Sequence, residues 1–539
     1  MNDRRPFARL LAPALAAAGL TGCLVGPNFT RPAPPAVDSY LTPNESAPGT
    51  AAAAPATAAT AATAADIAQR VALGQQIPAE WWALFHDRPL DDTLRQAIAA
   101  NHTLAAAKAT LAAAQEAVAE ARAGLYPQAD LTAGARRGTG VGGTSNLFTL
   151  GPTASYSIDA FGGTRRRVEQ QSALAENQRY QVAAAYLTLT GSTVTEAIAI
   201  ASTRLEIATV LDLIKNDEKN LDLTQREFNA GKVAKTDVLT AQAQLESDRT
   251  QLPPLHQQLS VARHALAALT GAAAGQWSPP EFELDELTLP PDLPLSVPSE
   301  IVHQRPDILA AEATLHADSA AIGVATAELY PSITLSASFT QSALSLAKLF
   351  QAAARDWSAG AGADQPLYRG GALAAQRRAA VDAYDAQLAT YQQTVLQAFQ
   401  QVADALTALA HDAELVAASQ RALDIAKASL DLQRKSYAAG KTSALQLIVA
   451  ENTYSDSRLS NVRALGQRMT DTATLFVAAG GGWWSAPGLS GGAEGAAPPE
   501  TAQPSSGASA PAQPAAGAPP AATPAQPAPP APPAPPAPR

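Results

Sequence analysis

The sequence predicts a mainly α-helical chain with a transmembrane β part, arranged as two structural repeats that carry β-strands and long coiled-coil helices. Three observations lead to this fold class. Short motifs recur in the same order about 200 residues apart, two very long stretches lack proline, and each half contains segments in which apolar and small polar residues alternate. Two hairpins give four strands per protomer, too few to close a barrel. Several chains must therefore contribute strands.

The composition excludes several classes of protein. A net charge of -10 argues against a nucleic-acid partner, because nothing would neutralise the phosphates. A single cysteine excludes an intramolecular disulfide framework and multi-cysteine metal sites. The histidines show no metal-binding spacing, and no Ser, His and Asp set has motif support. We therefore predict no metal, no catalytic residue and no enzyme activity.

The N-terminus predicts export and lipidation. Residues 1–22 combine a basic start with a short apolar stretch, which is typical of a signal peptide. The only cysteine, Cys23, follows Leu20-Thr21-Gly22 at the place where bacterial lipoproteins carry N-acyl groups such as palmitate and S-diacylglycerol. A cysteine that stands by chance near an ordinary cleavage site is the alternative. Apart from this covalent lipid, which would contact outer-membrane lipid, no cofactor is expected.

Low-complexity segments surround the part of the chain expected to fold. Residues 23–74 form a lipidated extended segment that includes an Ala/Thr/Pro-rich stretch, and residues 485–539 form a Pro/Ala-rich tail predicted to be disordered. Between them we place a first repeat at 75–275, a linker at 276–303 and a second repeat at 304–484.

Repeated motifs indicate an internal duplication. Leu125-Tyr126-Pro127 recurs as Leu329-Tyr330-Pro331, and the Ala-Gly-Lys of 230–232 recurs at 439–441. Two apolar heptad ladders share the second offset: Ile207, Ile214, Leu221 and Phe228 in the first half, and Val416, Leu423, Leu430 and Tyr437 in the second. Matches that keep their order and spacing predict two copies of one unit.

Each half follows the same order of elements. A helix (90–124 or 304–329) ends at Tyr-Pro, because proline disfavours helical geometry in the residue before it. Strand candidates follow at 129–141 and 153–159, and at 332–340 and 353–367. A very long helix of about 67 residues, or about 100 Å, comes next. A turn at Gly231 or Gly440 then leads into a return helix (233–270 or 442–479), and the ladders predict coiled-coil packing between the two.

The strands predict a membrane channel shared among chains. Strands with one apolar and one small-polar face either pack on a core or lie in lipid with the polar face towards water. The helices lead away from the strands, which favours lipid, and three chains would supply twelve strands. A soluble fold, in which the helices cover the sheet, is the alternative.

Three segments resemble a known family. Cys23-Leu24-Val25-Gly26-Pro27-Asn28-Phe29, the Trp81-Trp82 segment with Asn101, and the Arg305-Pro306-Asp307 segment with Glu312 are similar to the outer membrane factor lipoproteins, the TolC/NodT-like group. This resemblance covers about residues 20–484.

The resemblance implies a homotrimer whose twelve strands form one outer-membrane β-barrel, continued by an α-helical barrel in the periplasm of a Gram-negative bacterium. It implies a passive exit duct for small molecules such as drugs, docked to a periplasmic adaptor (membrane fusion) protein and an inner-membrane efflux pump. A duct for polypeptide secretion and a structural coiled-coil lipoprotein without channel activity are the alternatives.

The resemblance also implies sites at the helix turns. The positions that match the family's adaptor-docking tips are Gly231, Lys232, Gly440, Lys441, Thr442 and Ser443. Nearby lysines and arginines favour docking over a plain helix end, which is the alternative. The positions that match the closed periplasmic mouth are Leu445, Gln446 and Val449, with Asp237 at the matching place of the first repeat. Gln446 and Val449 replace residues that are often acidic, and Leu445 could instead be coiled-coil core.

Overall fold

The computed structural model describes residues 24–35, 37, 39–42, 69–140 and 143–486. The predicted signal peptide, Cys23, the Ala/Thr/Pro-rich stretch and nearly all of the predicted disordered tail lie outside the described residues. The elements of the first half are β1 (Arg70–Leu73), α1 (Arg88–Ala100), α2 (His102–Ala123), β2 (Gln128–Gly140), β3 (Gly143–Ile158), α3 (Gly163–Asn229), α4 (Lys235–Arg249) and α5 (Leu252–Leu269).

The second half repeats this order after a connection of 22 residues, except that a single return helix replaces the pair α4 and α5, which the sequence also predicted as one helix. Its elements are β4 (Asp292–Leu295), α6 (Pro298–Ile301), α7 (Pro306–Ala327), β5 (Ser332–Ala343), β6 (Arg355–Asp364), α8 (Ala372–Ala438) and α9 (Ala444–Ala478). The long helices α3 and α8 each contain 67 residues and are offset by 209 residues at both ends. The predicted length and the predicted duplication are therefore confirmed.

Several element boundaries differ from the sequence prediction. The single helix expected at 90–124 is two helices, because Asn101 adopts an extended conformation and its side chain caps α2 by accepting from the amide of Leu104 at 2.9 Å. The strand expected at 153–159 begins ten residues earlier, at Gly143. Pro152 hid this extension, because proline cannot donate to a β-ladder.

One antiparallel sheet contains the four predicted strands in the order β2-β3-β5-β6. Its register sorts the side chains onto two faces. The apolar face includes Leu131, Leu150, Tyr156, Ile333, Leu335, Phe339 and Trp357. The polar face includes Thr132, Thr149, Ser155, Ser336, Ser338, Ser358 and Gly360. All four helix connections leave from one end of the sheet, and the two turns lie at the other end.

The remaining part of the chain packs around the middle of the helices. Strands β1 and β4 form a parallel pair that the sequence did not predict. The segment predicted as a linker contributes buried apolar side chains, namely Phe282, Leu284, Leu287, Leu289, Leu293 and Leu295. Trp81 is fully buried, with its ring 5.5 Å from that of Phe476 on α9. This core joins both repeats.

Arg305 ties three helices together in this core. Its guanidinium pairs with Asp307 at the start of α7, and it also donates to the carbonyl of Ala478 on α9 at 2.6 Å and to Gln401 of α8 at 2.7 Å. No helix among the described residues is long and apolar enough to cross a bilayer.

Candidate functional site

The two helical hairpins end in tips, residues 230–235 and 439–444, that close in the same way. Gly231 and Gly440 adopt left-handed φ values of 70° and 68°, which favour glycine. At each tip the glycine amide donates to the carbonyl three residues back, and the next lysine amide donates to the carbonyl five residues back, all at 2.9 Å. This is a Schellman helix end, so the tips have the geometry of a helix cap.

The polar residues beside the tips hold the start of the return helices. The Ser443 hydroxyl accepts from the amide of Gln446 at 3.4 Å, and the Thr442 hydroxyl bonds to the Gln446 side chain. In the first repeat, Asp237 accepts from the amide of Ala234 at 3.0 Å. Gln446 and Asp237 therefore occupy equivalent capping positions, and both are exposed.

The positive charge expected at the tips is smaller than the sequence suggested. Arg434 forms an ion pair with the buried carboxylate of Glu451, at 3.1 Å, so its charge is compensated within the chain. Lys235 lies over the ring of Phe228 at 5.5 Å. Lys232, Lys235 and Lys441 are exposed and form no ion pair with any described residue, and the same holds for Lys435 just before the second tip. These lysines leave uncompensated charge at the tips.

An apolar patch faces outward just past the second tip. Leu445 and Val449 lie one helical turn apart on α9, and they are 54% and 56% exposed, whereas Leu447 and Ile448 are buried. Leu445 is thus not part of the coiled-coil core of its own chain. It also lines a cavity of about 250 Å³ between the two tips, together with Thr224, Val233, Asp237, Thr240, Ser443 and Ile448. The structure therefore brings the candidate residues of both repeats together.

Buried carboxylates lie between the helices about four turns from the tips. Asp217 on α3 and Asp248 on α4 are 2% and 4% exposed. Burial raises the pKa of Asp217 to about 8, and hydrogen bonding and charge repulsion from Asp248, with a contribution from Glu451, act in the same direction. No described donor bonds to the Asp217 oxygens, so a protonated Asp217 that donates to Asp248 fits this site.

The segment that follows Cys23, residues 24–35, forms a strap across the junction between strands and helices. The amide of Val25 donates to Phe161 at 3.2 Å. Arg166, 1% exposed, donates to the carbonyls of Val25 and Gly26 at 3.0 and 3.2 Å and to the Asn28 side chain at 2.8 Å. The residue that follows Cys23 thus lies where β3 passes into α3.

Close backbone approach fixes the path of the strap. A Cβ at Gly26 would lie 2.4 Å from Cα of Gly323 on α7, which real side chains do not permit. Further along, Phe29 stacks on His316 with ring centroids 4.5 Å apart, and Arg31 donates to the buried Glu312 at 2.6 Å. The strap therefore has one defined register against α7.

Within the ranges that the structure describes, no cluster of three or more His, Cys, Asp and Glu residues could hold a metal ion.

A family model described as "Outer membrane efflux protein" matches residues 93–272 and 297–481, more than half of the chain. The chain belongs to this family. Members of this family are passive channels of the outer membrane, so this chain is an outer-membrane channel and not an enzyme. The resemblance and the mainly α fold class with a β part are confirmed.

Three curated relatives are similar over most of their length. Nodulation protein T of Rhizobium leguminosarum bv. viciae is 28% identical over 482 residues, which cover 88% of this chain and 93% of the relative. The pyoverdine export outer membrane protein OpmQ of Pseudomonas aeruginosa is 29% identical, with 75% and 88% covered. The probable outer membrane lipoprotein SilC of Salmonella typhimurium is 27% identical, with 66% and 78% covered.

Two solved structures share the fold. The outer-membrane channel OprN has a TM-score of 0.73 and 27% identity, and the match covers 86% of this chain and all of that one. The Campylobacter jejuni CmeC outer membrane channel has a TM-score of 0.76 at 19% identity, with 87% and 97% covered.

Proposed function

We propose that this efflux protein is a homotrimeric exit duct for small molecules, docked to a periplasmic adaptor and driven by an inner-membrane pump. The main support for this proposal is the four-stranded sheet, which has one apolar face and one polar face. Its edge strands, β2 and β6, pair with no further described strand. Unpaired backbone groups are costly in lipid. Three copies joined through these edges would close a twelve-stranded barrel with the polar face around the lumen.

Exposed apolar side chains on the helices support contacts between copies. Ile425 and Leu432 on α8 are 71% and 65% exposed and stand seven residues apart, which is the spacing of a coiled-coil seam. Such a seam fits a helical barrel that continues the β-barrel into the periplasm. The pyoverdine export function in the name of OpmQ supports a small-molecule cargo.

The lipid anchor at Cys23 belongs to the same proposal. Leu24 lies beside Gly162, between β3 and α3, where the sheet meets the helices. N-acyl and S-diacylglycerol groups on the preceding residue would then enter the membrane next to the barrel. SilC, a relative named as an outer membrane lipoprotein, supports this anchor.

The tips would dock the adaptor and the adjacent apolar patch would close the mouth. Gly231, Lys232, Gly440, Lys441, Thr442 and Ser443 form the docking surface, with Lys232 and Lys441 supplying charge. Three copies of Leu445 and Val449 would narrow the lumen, flanked by Gln446 and Asp237. Opening is a shift in the population of tip conformations, biased by partner contacts; the protein itself performs no chemistry.

The pore and its gate are tested together in planar bilayers. Purified protein should run as a heat-resistant trimer and conduct ions at a low level. Leu445→Ala should raise single-channel conductance, because it widens an apolar constriction. A monomer without conductance would refute the duct, and an unchanged conductance in Leu445→Ala would remove this residue from the gate.

Docking is tested by a charge reversal. Lys441→Glu should abolish the resistance that the assembled pump confers, while the trimer and its conductance remain. Lys108→Glu, an exposed lysine on α2 far along the chain from either tip, is the matched control and should leave resistance intact. Equal resistance in Lys441→Glu and the parent would contradict docking through this surface.

A further inference from the structure

The turn end of the sheet carries two arginines on its apolar face. The register places Arg137 of β2 and Arg355 of β6 on the same face as Leu131, Phe339 and Trp357. Both arginines are exposed, and neither forms an ion pair with a described residue. A cation on a lipid-facing surface therefore needs a partner from outside the chain.

Aromatic residues locate these arginines relative to the lipid. Arg355 lies two residues beyond Trp357, which is 75% exposed, and Arg137 lies two residues beyond Ala135, the ladder partner of Phe148. Two residues of strand span about 7 Å. Aromatic residues mark the interfaces of membrane barrels, so the arginines stand just outside the hydrocarbon, at the depth of lipid headgroups.

The apolar face offers these arginines no internal counter-charge. Along the described strands β2, β3, β5 and β6, the acidic residues Asp130, Asp356 and Asp364 all lie on the opposite, polar face. The long alkyl stems can lie along the apolar surface while the guanidinium groups reach outward. Anionic lipid headgroups at this depth can then supply the compensating negative charge.

We propose that Arg137 and Arg355 bind the phosphate groups of the phosphorylated glycolipid in the outer leaflet. Guanidinium groups bind phosphate with two parallel hydrogen bonds. The inference rests on the proposed trimer: β2 and β6 are the edge strands, so Arg137 of one protomer and Arg355 of the next flank the same seam. A phosphate bound there would join two protomers at the outer rim.

The neighbouring residue supplies the control for this surface. Arg136 has the same side chain but lies on the polar face, one residue from Arg137. It therefore faces the lumen and not the lipid. Arg136→Gln removes one positive charge from the same strand without removing a lipid contact.

The test measures binding of detergent-purified trimers to immobilised lipopolysaccharide. Arg137→Gln and Arg355→Gln should each weaken retention about fivefold, and the double variant should weaken it further, whereas Arg136→Gln should bind like the parent. Arg137→Lys should restore only part of the lost binding, because it keeps the charge but cannot form the two parallel hydrogen bonds. Equal retention in the parent and the double variant would overturn the inference.

Two further arms separate the possible sources of failure. Vesicles of phosphatidylglycerol should compete poorly with lipopolysaccharide, and equal competition would overturn the assignment to the outer-leaflet glycolipid. Each preparation is also assayed for heat-resistant trimers and conductance. If the double variant forms conducting trimers with unchanged retention, only the lipid site is refuted. A parent protein without trimers or conductance would refute the duct itself.

Discussion

Arg166 links the strap, residues 24–35, to the helices through a single buried side chain. Its guanidinium donates hydrogen bonds to two strap carbonyls and to the side-chain oxygen of Asn28. It also forms an ion pair with Glu169 at 2.7 Å. A buried guanidinium must satisfy most of its donors. The strap supplies the acceptors for this cation, and the cation in turn holds the strap in place.

Replacing Arg166 should loosen the strap. Arg166→Met leaves these acceptors without their donor and should lower the free energy of unfolding by about 2–4 kcal/mol. Hydrogen exchange should show faster amide exchange in residues 24–35. Arg167→Met is the control, because Arg167 is exposed and forms no ion pair within the described ranges. Equal exchange rates in the two variants would contradict the role of Arg166.

The sequence carried a signal for Arg166 that motif comparison does not use. Three consecutive arginines, residues 165–167, stand at the N-terminal end of α3, where the helix dipole disfavours positive charge. The charge of Arg165 is compensated by Asp159, to which it donates at 3.0 Å. Arg166 donates to the strap. The acceptors lie about 140 residues away, so a local pattern indicates that a partner exists but not which one.

At the scale of elements, periodicity predicted the long helices and the alternating strands, because both patterns extend over many residues. Periodicity failed to predict the elements that depend on a single residue or on a strand far away in the sequence. Asn101 breaks a helix that composition would continue. Strands β1 and β4 contain four residues each and exist only because they pair across 222 positions. Short elements of this kind carry no repeat in the sequence.

Buried carboxylates interrupt the apolar packing of the long helices. Asp217 is buried three residues after Ile214 and four before Leu221, at a core position of the heptad that the predicted ladder did not include. Asp412 on α8 occupies a similar place, and burial together with Asp471 raises its pKa to about 7. Both sites favour a protonated carboxyl group in the folded state.

Stability should therefore fall as the pH rises. The pKa of Asp217 is about 8 in the folded chain and 3.8 without these contacts. The folded state thus holds a proton that the unfolded state releases between these values, so the free energy of unfolding decreases across that range and levels off above it. Asp217→Asn cannot ionise and should show a shallower decrease, with Asp412 leaving a residual slope.

Thermal unfolding followed by circular dichroism between pH 5 and pH 9 measures this slope. Asp431→Asn, an exposed carboxylate on α8 without an ion pair among the described residues, is the matched control and should behave like the parent. Parallel curves for Asp217→Asn and the parent would show that Asp217 is not the group responsible.

At the scale of the whole molecule, the described chain is an incomplete unit. Its sheet has an apolar face that no described helix covers and two unpaired edges, and its long helices expose apolar side chains at coiled-coil spacing. The strand count of a single chain is enough to predict that the unit is incomplete, because four strands cannot enclose a lumen. In the proposed trimer, other copies supply the contacts that complete the unit, and no local sequence pattern specifies their register.

Introducing an arginine should have opposite effects on the two faces of the sheet. Ala337 lies on the apolar face in the middle of β5, and its neighbour Ser338 lies on the polar face. Ala337→Arg would place a charge in the hydrocarbon at a cost of about 2–4 kcal/mol in each protomer, repeated in all three copies. Heat-resistant trimers should then be lost from outer-membrane fractions.

Ser338→Arg introduces the same side chain into the lumen. The trimer should still form, because the guanidinium stays in water, but single-channel conductance should fall and shift towards anions, since three positive charges would line one level of the pore. Trimers on gels and conductance in planar bilayers distinguish the two variants. Assembly of Ala337→Arg together with failure of Ser338→Arg would reverse the assignment of the faces, and with it the proposed depth of Arg137 and Arg355.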